Sequence, residues 1–124
     1  MTSDYKPKKV EINTLSDAKK HLRRIDCDEA GIPIMAPKAV FHVIELQDVV
    51  MQDAVILKQE MLSTGGEIAI PKNAYELFQE KSSILVMGTL RQQKQFAEKL
   101  LRHYPRIQDI GGQLSTYLKT LETS

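Results

Sequence analysis

Residues 40–71 read VFHVIELQDVVMQDAVILKQEMLSTGGEIAIP, and three changes of rhythm inside this stretch decide the fold. From Val40 to Leu46, β-branched and aromatic side chains are frequent, a strand signal that Gln47 and Asp48 close. The spacing then predicts a helix over about 49–63. Val50, Ala54, Leu57 and Met61 fall on one stripe, and Met51, Val55 and Leu62 widen it. Gly65 and Gly66 end that helix, because a glycine takes the left-handed conformation that a side chain resists. Glu67 to Ile70 resumes an extended pattern, which Pro71 terminates.

Downstream, a polar segment with a short helical turn around Tyr75 to Phe78 leads to Ile84, Leu85, Val86 and Met87. So continuous an apolar run predicts a buried central strand. Thr89 and Gln92 then form a capping box, with Leu90, Ala97, Leu101 and Tyr104 on the buried face and Pro105 as the stop. A last amphipathic segment places Ile107, Ile110, Leu114, Tyr117, Leu118 and Leu121 on one side, weakened by Gly111 and Gly112. Upstream, Val10 and Ile12 alternate like a short strand. Thr14 and Asp17 cap a helix that ends near Asp26. Pro33 and Pro37 restrict 32–37 to an edge strand or extended connector.

The resulting order, β-α-(β)-β-α-β-β-α-α, contains most of a ferredoxin-like core. The expected fold is α+β, a two-layer sandwich with helices on one face of a mixed sheet; a small three-layer α/β arrangement is the alternative. Residues 1–8 form a flexible N-terminus and 9–121 a single domain.

A 124-residue chain with 42% hydrophobic residues can close one core without staples. Cys27 is its only cysteine, so no intrachain disulfide forms, and His21, His42 and His103 show no metal-ligand spacing. No metal or cofactor is expected. The net charge of +1 gives no general pull towards nucleic acid. The cluster Lys6, Lys8, Lys9, Lys19, Lys20, Arg23 and Arg24 reads first as a solvated face. Apolar runs fall far short of a bilayer's thickness and no signal peptide opens the chain, so the expected address is the cytoplasm.

No catalytic set is visible. His42 reads as a strand-face residue with a satisfied hydrogen bond; Ser63, Ser82 and Ser83 lack a nucleophile context, and Cys27 lacks an activating neighbour. Three turns have the chemistry of an anion site. Lys58 precedes the glycine-rich turn at Gly65 and Gly66, where backbone N–H groups can approach an anion, although an ordinary helix stop explains the same residues. Thr89 and Arg91 open a helix directly after a strand, where free N–H groups suit a phosphate or carboxylate, and simple capping is the rival reading. Lys38 follows the rigid Pro37. If the sheet gathers these turns at one edge, Lys38, Lys58, Gly65, Gly66, Thr89 and Arg91 line a small anionic pocket.

Three segments occur in a telling order: Gly31 to Lys38 (GIPIMAPK), Leu57 to Glu67 (LKQEMLSTGGE) and Val86 to Gln92 (VMGTLRQ). Together they resemble the extra N-terminal region found ahead of the pterin-binding barrel in some bacterial dihydropteroate synthases. The resemblance covers roughly residues 9 to 121. A barrel needs about 200 residues or more, so the family's catalytic positions have no counterpart here. The resemblance implies an accessory domain of folate biosynthesis that contacts a pterin-binding barrel or a small anionic ligand; the alternatives are an independent phosphate- or pterin-binding module and, behind it, a nucleic-acid-binding domain. Wide apolar helix faces also make a homodimer a reasonable expectation.

Overall fold

The computed structural model describes residues 3–123. The flexible stretch expected at 1–8 therefore falls partly outside the described residues. From residue 3 to residue 13 the chain has no regular secondary structure, so Val10 and Ile12 form no strand.

Helix α1 runs Leu15–Arg24. It begins where the Asp17 N–H donates to Thr14 Oγ1 at 3.1 Å. In return the Asn13 N–H donates to Asp17 Oδ2, one residue earlier than a capping box requires. That N–H holds the Asp17 carboxyl below its ordinary value.

The next segment departs from expectation. Residues 29–38 form three short helical turns, the middle one α2 at Ile32–Met35. Pro33 and Pro37 each sit in the first turn of such a piece, where a proline removes no intrahelical hydrogen bond. The prolines start helical turns here and do not mark an extended edge.

Strand β1 spans Phe41–Val50, helix α3 Met51–Ser63 and strand β2 Glu67–Ala69; strand β3 spans Lys81–Thr89, helix α4 Leu90–Leu100 and helix α5 Pro105–Glu122. The sheet order is β1-β3-β2, and both pairings are antiparallel. This corrects the expected mixed sheet: β1 and β2 run the same way but β3 separates them. The α+β class holds. The β-α-β-β-α order is that of the ferredoxin-like sandwich without its last strand.

Burial alternates cleanly along the sheet. His42, Ile44 and Leu46 on β1, and Ile84, Val86 and Gly88 on β3, face the helices. Phe41, Val43, Glu45, Leu85 and Ala69 point to the other face and are exposed, which makes two layers and not three. Beneath the sheet, α3, α4 and α5 lie side by side, α3 against β2 and α4 between its two neighbours.

Gln47 and Asp48 do not end β1. They make a bulge at which the register shifts between Leu46 and Val49. Asp48 takes φ +56°, a left-handed conformation that Asp tolerates better than most side chains. The strand then continues to Val50. Helix α3 has no side-chain cap; the N–H groups of Met51 and Gln52 instead donate to the carbonyls of Glu80 and Phe78.

The buried stripe of α4 is Leu90, Gln93, Phe96, Ala97 and Leu100, so the expected Leu101 points outward. Pro105 opens α5 rather than merely stopping α4. The Thr89–Gln92 capping box is present in full. Thr89→Ala is expected to lower stability by about 1 kcal/mol, read as an earlier urea midpoint with an unchanged slope.

Candidate binding cleft

The turns proposed for an anion are brought partly together. Gly65 lies beside Gln92: a Cβ on Gly65 would sit 3.1 Å from that amide nitrogen. The glycine turn therefore does meet the start of α4. Its donors, however, are occupied. The Gly65 N–H donates to Leu62 O and the Gly66 N–H to Met61 O, which closes α3 in a Schellman motif with Gly65 at φ +93°.

The start of α4 is similarly engaged. Thr89 N–H donates to Gln92 Oε1, Leu90 N–H to Val40 O, and Gln92 N–H to Thr89 Oγ1. Lys58 Nζ donates to Glu67 Oε1 at 3.1 Å and to Ile68 O at 2.8 Å. Glu67 in turn accepts from the Ile68 N–H; that bond first and Lys58 second hold its carboxyl below the ordinary range. Lys38 and Arg91 are exposed. Lys38 ends a helical turn packed on α4, and Arg91 lies in the first turn of α4.

His42 faces the helices, half-buried. Among the described residues no protein group hydrogen-bonds to its imidazole. Burial alone lowers its pKa, so it is neutral near pH 7. Gln93, fully buried beneath it, donates from Nε2 to both His42 O and Val86 O, which ties β1 to β3 from below. Its Oε1 has no partner among the described residues.

The arrangement that sequence reasoning missed lies where α3 and α5 begin. Asp53, in the first turn of α3, is only 2% exposed. Arg106 donates to it from Nε at 2.7 Å and from Nη2 at 2.8 Å, and the Tyr104 hydroxyl donates to the same carboxylate. The Arg106 guanidinium also stands 5.2 Å from the Tyr104 ring centre. Burial by itself would raise the Asp53 pKa; the bonds and charge of Arg106 with the Tyr104 bond outweigh it, and the net shift is downward. Burial first, then the bond to Asp53, raises the Tyr104 pKa. The Asp53 bonds and charge raise that of Arg106 far above its usual range.

This cluster forms one end of a cleft between β1 and α5. At the bulge the cleft has a volume of about 550 Å³, with Asp48, Asp53 and Lys81 facing Arg106, Asp109 and Ile110. A second part of about 400 Å³ runs along the strand, where Val43 and Ile44 face Leu114 and Tyr117. The two parts share Glu45, Leu46 and Gln113, so they run into one another. Apolar side chains are most frequent in the part along the strand, and carboxylates outnumber cations at the bulge end. A separate groove of about 600 Å³ lies between the N-terminal arm and α1, with Lys8, Lys9, His21 and Arg24 around Val10, Ile12 and Leu22.

Among the described residues no group of His, Cys, Asp and Glu side chains could hold a metal ion, and no helix is long and apolar enough to cross a membrane. Fold and cleft together define a split β-α-β sandwich with no fourth strand among the described residues. No family model matches the chain, and no curated protein or solved structure matches it either.

Proposed function

We propose that the chain is a non-catalytic binding module that works through protein contacts, with the cleft between β1 and α5 as its docking surface. The observation that carries this reading is an outer strand with no neighbour beyond it among the described residues, facing an amphipathic helix across an open cleft. The buried acid, Asp53, is tied down in a bidentate pair, an arrangement suited to holding α5 in place and ill suited to proton transfer. The partner to which the sequence resemblance points is the pterin-binding barrel of a dihydropteroate synthase, which makes this an accessory domain of folate biosynthesis.

Sedimentation of the chain with such a barrel tests the reading. A complex at tens of micromolar, weakened by Tyr117→Asp in the cleft, is the expected result. No complex at about 100 μM, a concentration at which even weak transient pairs associate, removes the barrel as partner. A small phosphate or pterin ligand is the second reading, favoured by the two exposed cations Lys38 and Arg91. A melting temperature raised by inorganic phosphate or a pterin, and lowered again by Lys38→Ala, would turn the argument towards it.

A further inference from the structure

We propose that the cleft takes an extended strand from another protein, which adds antiparallel to β1 as the fourth strand and sets a basic side chain against Glu45. This rests on the protein-binding reading above and names the kind of partner.

The first argument is backbone. Leu90 N–H donates to Val40 O, and in an antiparallel ladder bonded and non-bonded pairs alternate. From the register Phe41↔Thr89, Val43↔Met87 and Glu45↔Leu85, the N–H and C=O groups of Phe41, Val43 and Glu45 point away from β3. Nothing among the described residues pairs with that edge.

The second argument is width. Strands sit about 4.8 Å apart and packed helices roughly 8–10 Å, so three strands span about 10 Å between outer axes and three helices about 18 Å. The helix layer is broader than the sheet, and α3 packs on β2 at the far side. The overhang falls beneath the empty position beside β1, where α5 offers Ile110, Leu114 and Tyr117. One strand fits there. Two copies joined β1 to β1 would force two overhanging α5 helices into the width of a single strand pair, which argues against pairing of two copies through this edge.

The third is charge. Glu45, Asp48 and Asp109 line the bulge end against Lys81, while Asp53 and Arg106 neutralise each other. The incoming strand therefore places apolar side chains towards α5 and a cation opposite Glu45.

The peptide acetyl-Lys-Ile-Thr-Ile-Val-Lys-amide fits that chemistry, its first Lys opposite Glu45, Thr opposite Val43 and Val opposite Phe41. Amide exchange should slow at Phe41, Val43 and Glu45 when it is added to the intact chain. N-methylation at the Thr, whose N–H faces β1, should weaken binding about ten-fold or more, and N-methylation at either Ile, whose N–H faces outward, less than about two-fold. Glu45→Lys should weaken it about three- to five-fold, and a peptide with Glu in place of its first Lys should recover the loss. No slowing at millimolar peptide, slowing confined to β2, or equal effects of all N-methyl groups would overturn the proposal. A barrel complex that forms but leaves those three amides unprotected would overturn it too, while sparing the protein-binding reading.

Discussion

Replacing Gly111 by alanine is expected to destabilise the protein by about 1–3 kcal/mol, the usual cost of over-packing a tight contact. The same change one residue later, Gly112→Ala, is expected to stabilise it by about 0.5–1 kcal/mol. Both glycines lie inside α5, so the helix-propensity gain is common to them. What differs is the neighbour. A Cβ on Gly111 would meet Leu100 Cβ at 2.8 Å and the Ala97 carbonyl oxygen at 2.9 Å, backbone-fixed atoms of α4 that no rotamer change removes. The two helices would have to part, loosening Phe96, Leu100 and Leu114, all fully buried. A Cβ on Gly112 would have no atom within 4 Å. Urea midpoints of the two variants should therefore move in opposite directions, and Gly111→Leu should fall below both. A Gly111→Ala protein as stable as wild type would refute the close crossing of α4 and α5.

In the sequence these glycines are alike, and both read as weaknesses in a helix. The difference is tertiary: it depends on Leu100 and Ala97, which the chain returns to only after the turn at 101–104. Features fixed within a few residues were legible. The apolar run Ile84 to Met87 is in the central strand, the Thr89–Gln92 pair closes a capping box, and Gly65 ends α3 in the left-handed conformation. Rules with two outcomes misled. A proline forbids a strand interior but opens a helix equally well, and 32–38 took the second course. Gln47 and Asp48 look like a strand end and are a bulge, because Asp48 takes φ +56° and the ladder resumes at Val49.

The anion turns were legible as turns but not as sites. Their N–H groups were free in the sequence and engaged in the fold, Gly65 and Gly66 by the carbonyls of α3 and Thr89 by the side chain of Gln92. The cleft left little local mark. Asp53 reads as a polar residue at the edge of an apolar stripe, and its partners stand 51 and 53 positions away. The one available hint was a carboxylate so near a run of buried positions, which demands a cation or donor from elsewhere.

That partnership gives the second large effect. Asp53→Ala should cost about 2–3 kcal/mol, since hydrogen bonds to a charged group are each worth about 1.5–3 kcal/mol and the exposed Arg106 can return to water. Arg106→Met should be worse, because it leaves a carboxylate that is 2% exposed with Tyr104 as the only remaining donor among the described residues. The pH dependence separates the two. In the wild type the Asp53 pKa lies below the ordinary 3.8. A group depressed in this way contributes stability that is complete above its unfolded pKa and is lost as pH falls through the folded one. In Arg106→Met burial is opposed only by the Tyr104 bond, and the Asp53 pKa moves above its unfolded value. The sign inverts: that variant is penalised at neutral pH and recovers as the acid takes up a proton. Urea midpoints from pH 7 down to pH 4 should therefore show the gap between wild type and Arg106→Met narrowing. The gap between wild type and Asp53→Ala, which has no carboxyl to protonate, should stay level until the wild-type carboxylate itself titrates below that range. A constant gap for Arg106→Met would mean that the guanidinium does not hold Asp53 in its charged form. The cluster would then be a contact of shape alone, and the acidic end of the cleft would lose the fixed pair that anchors α5 beside β1.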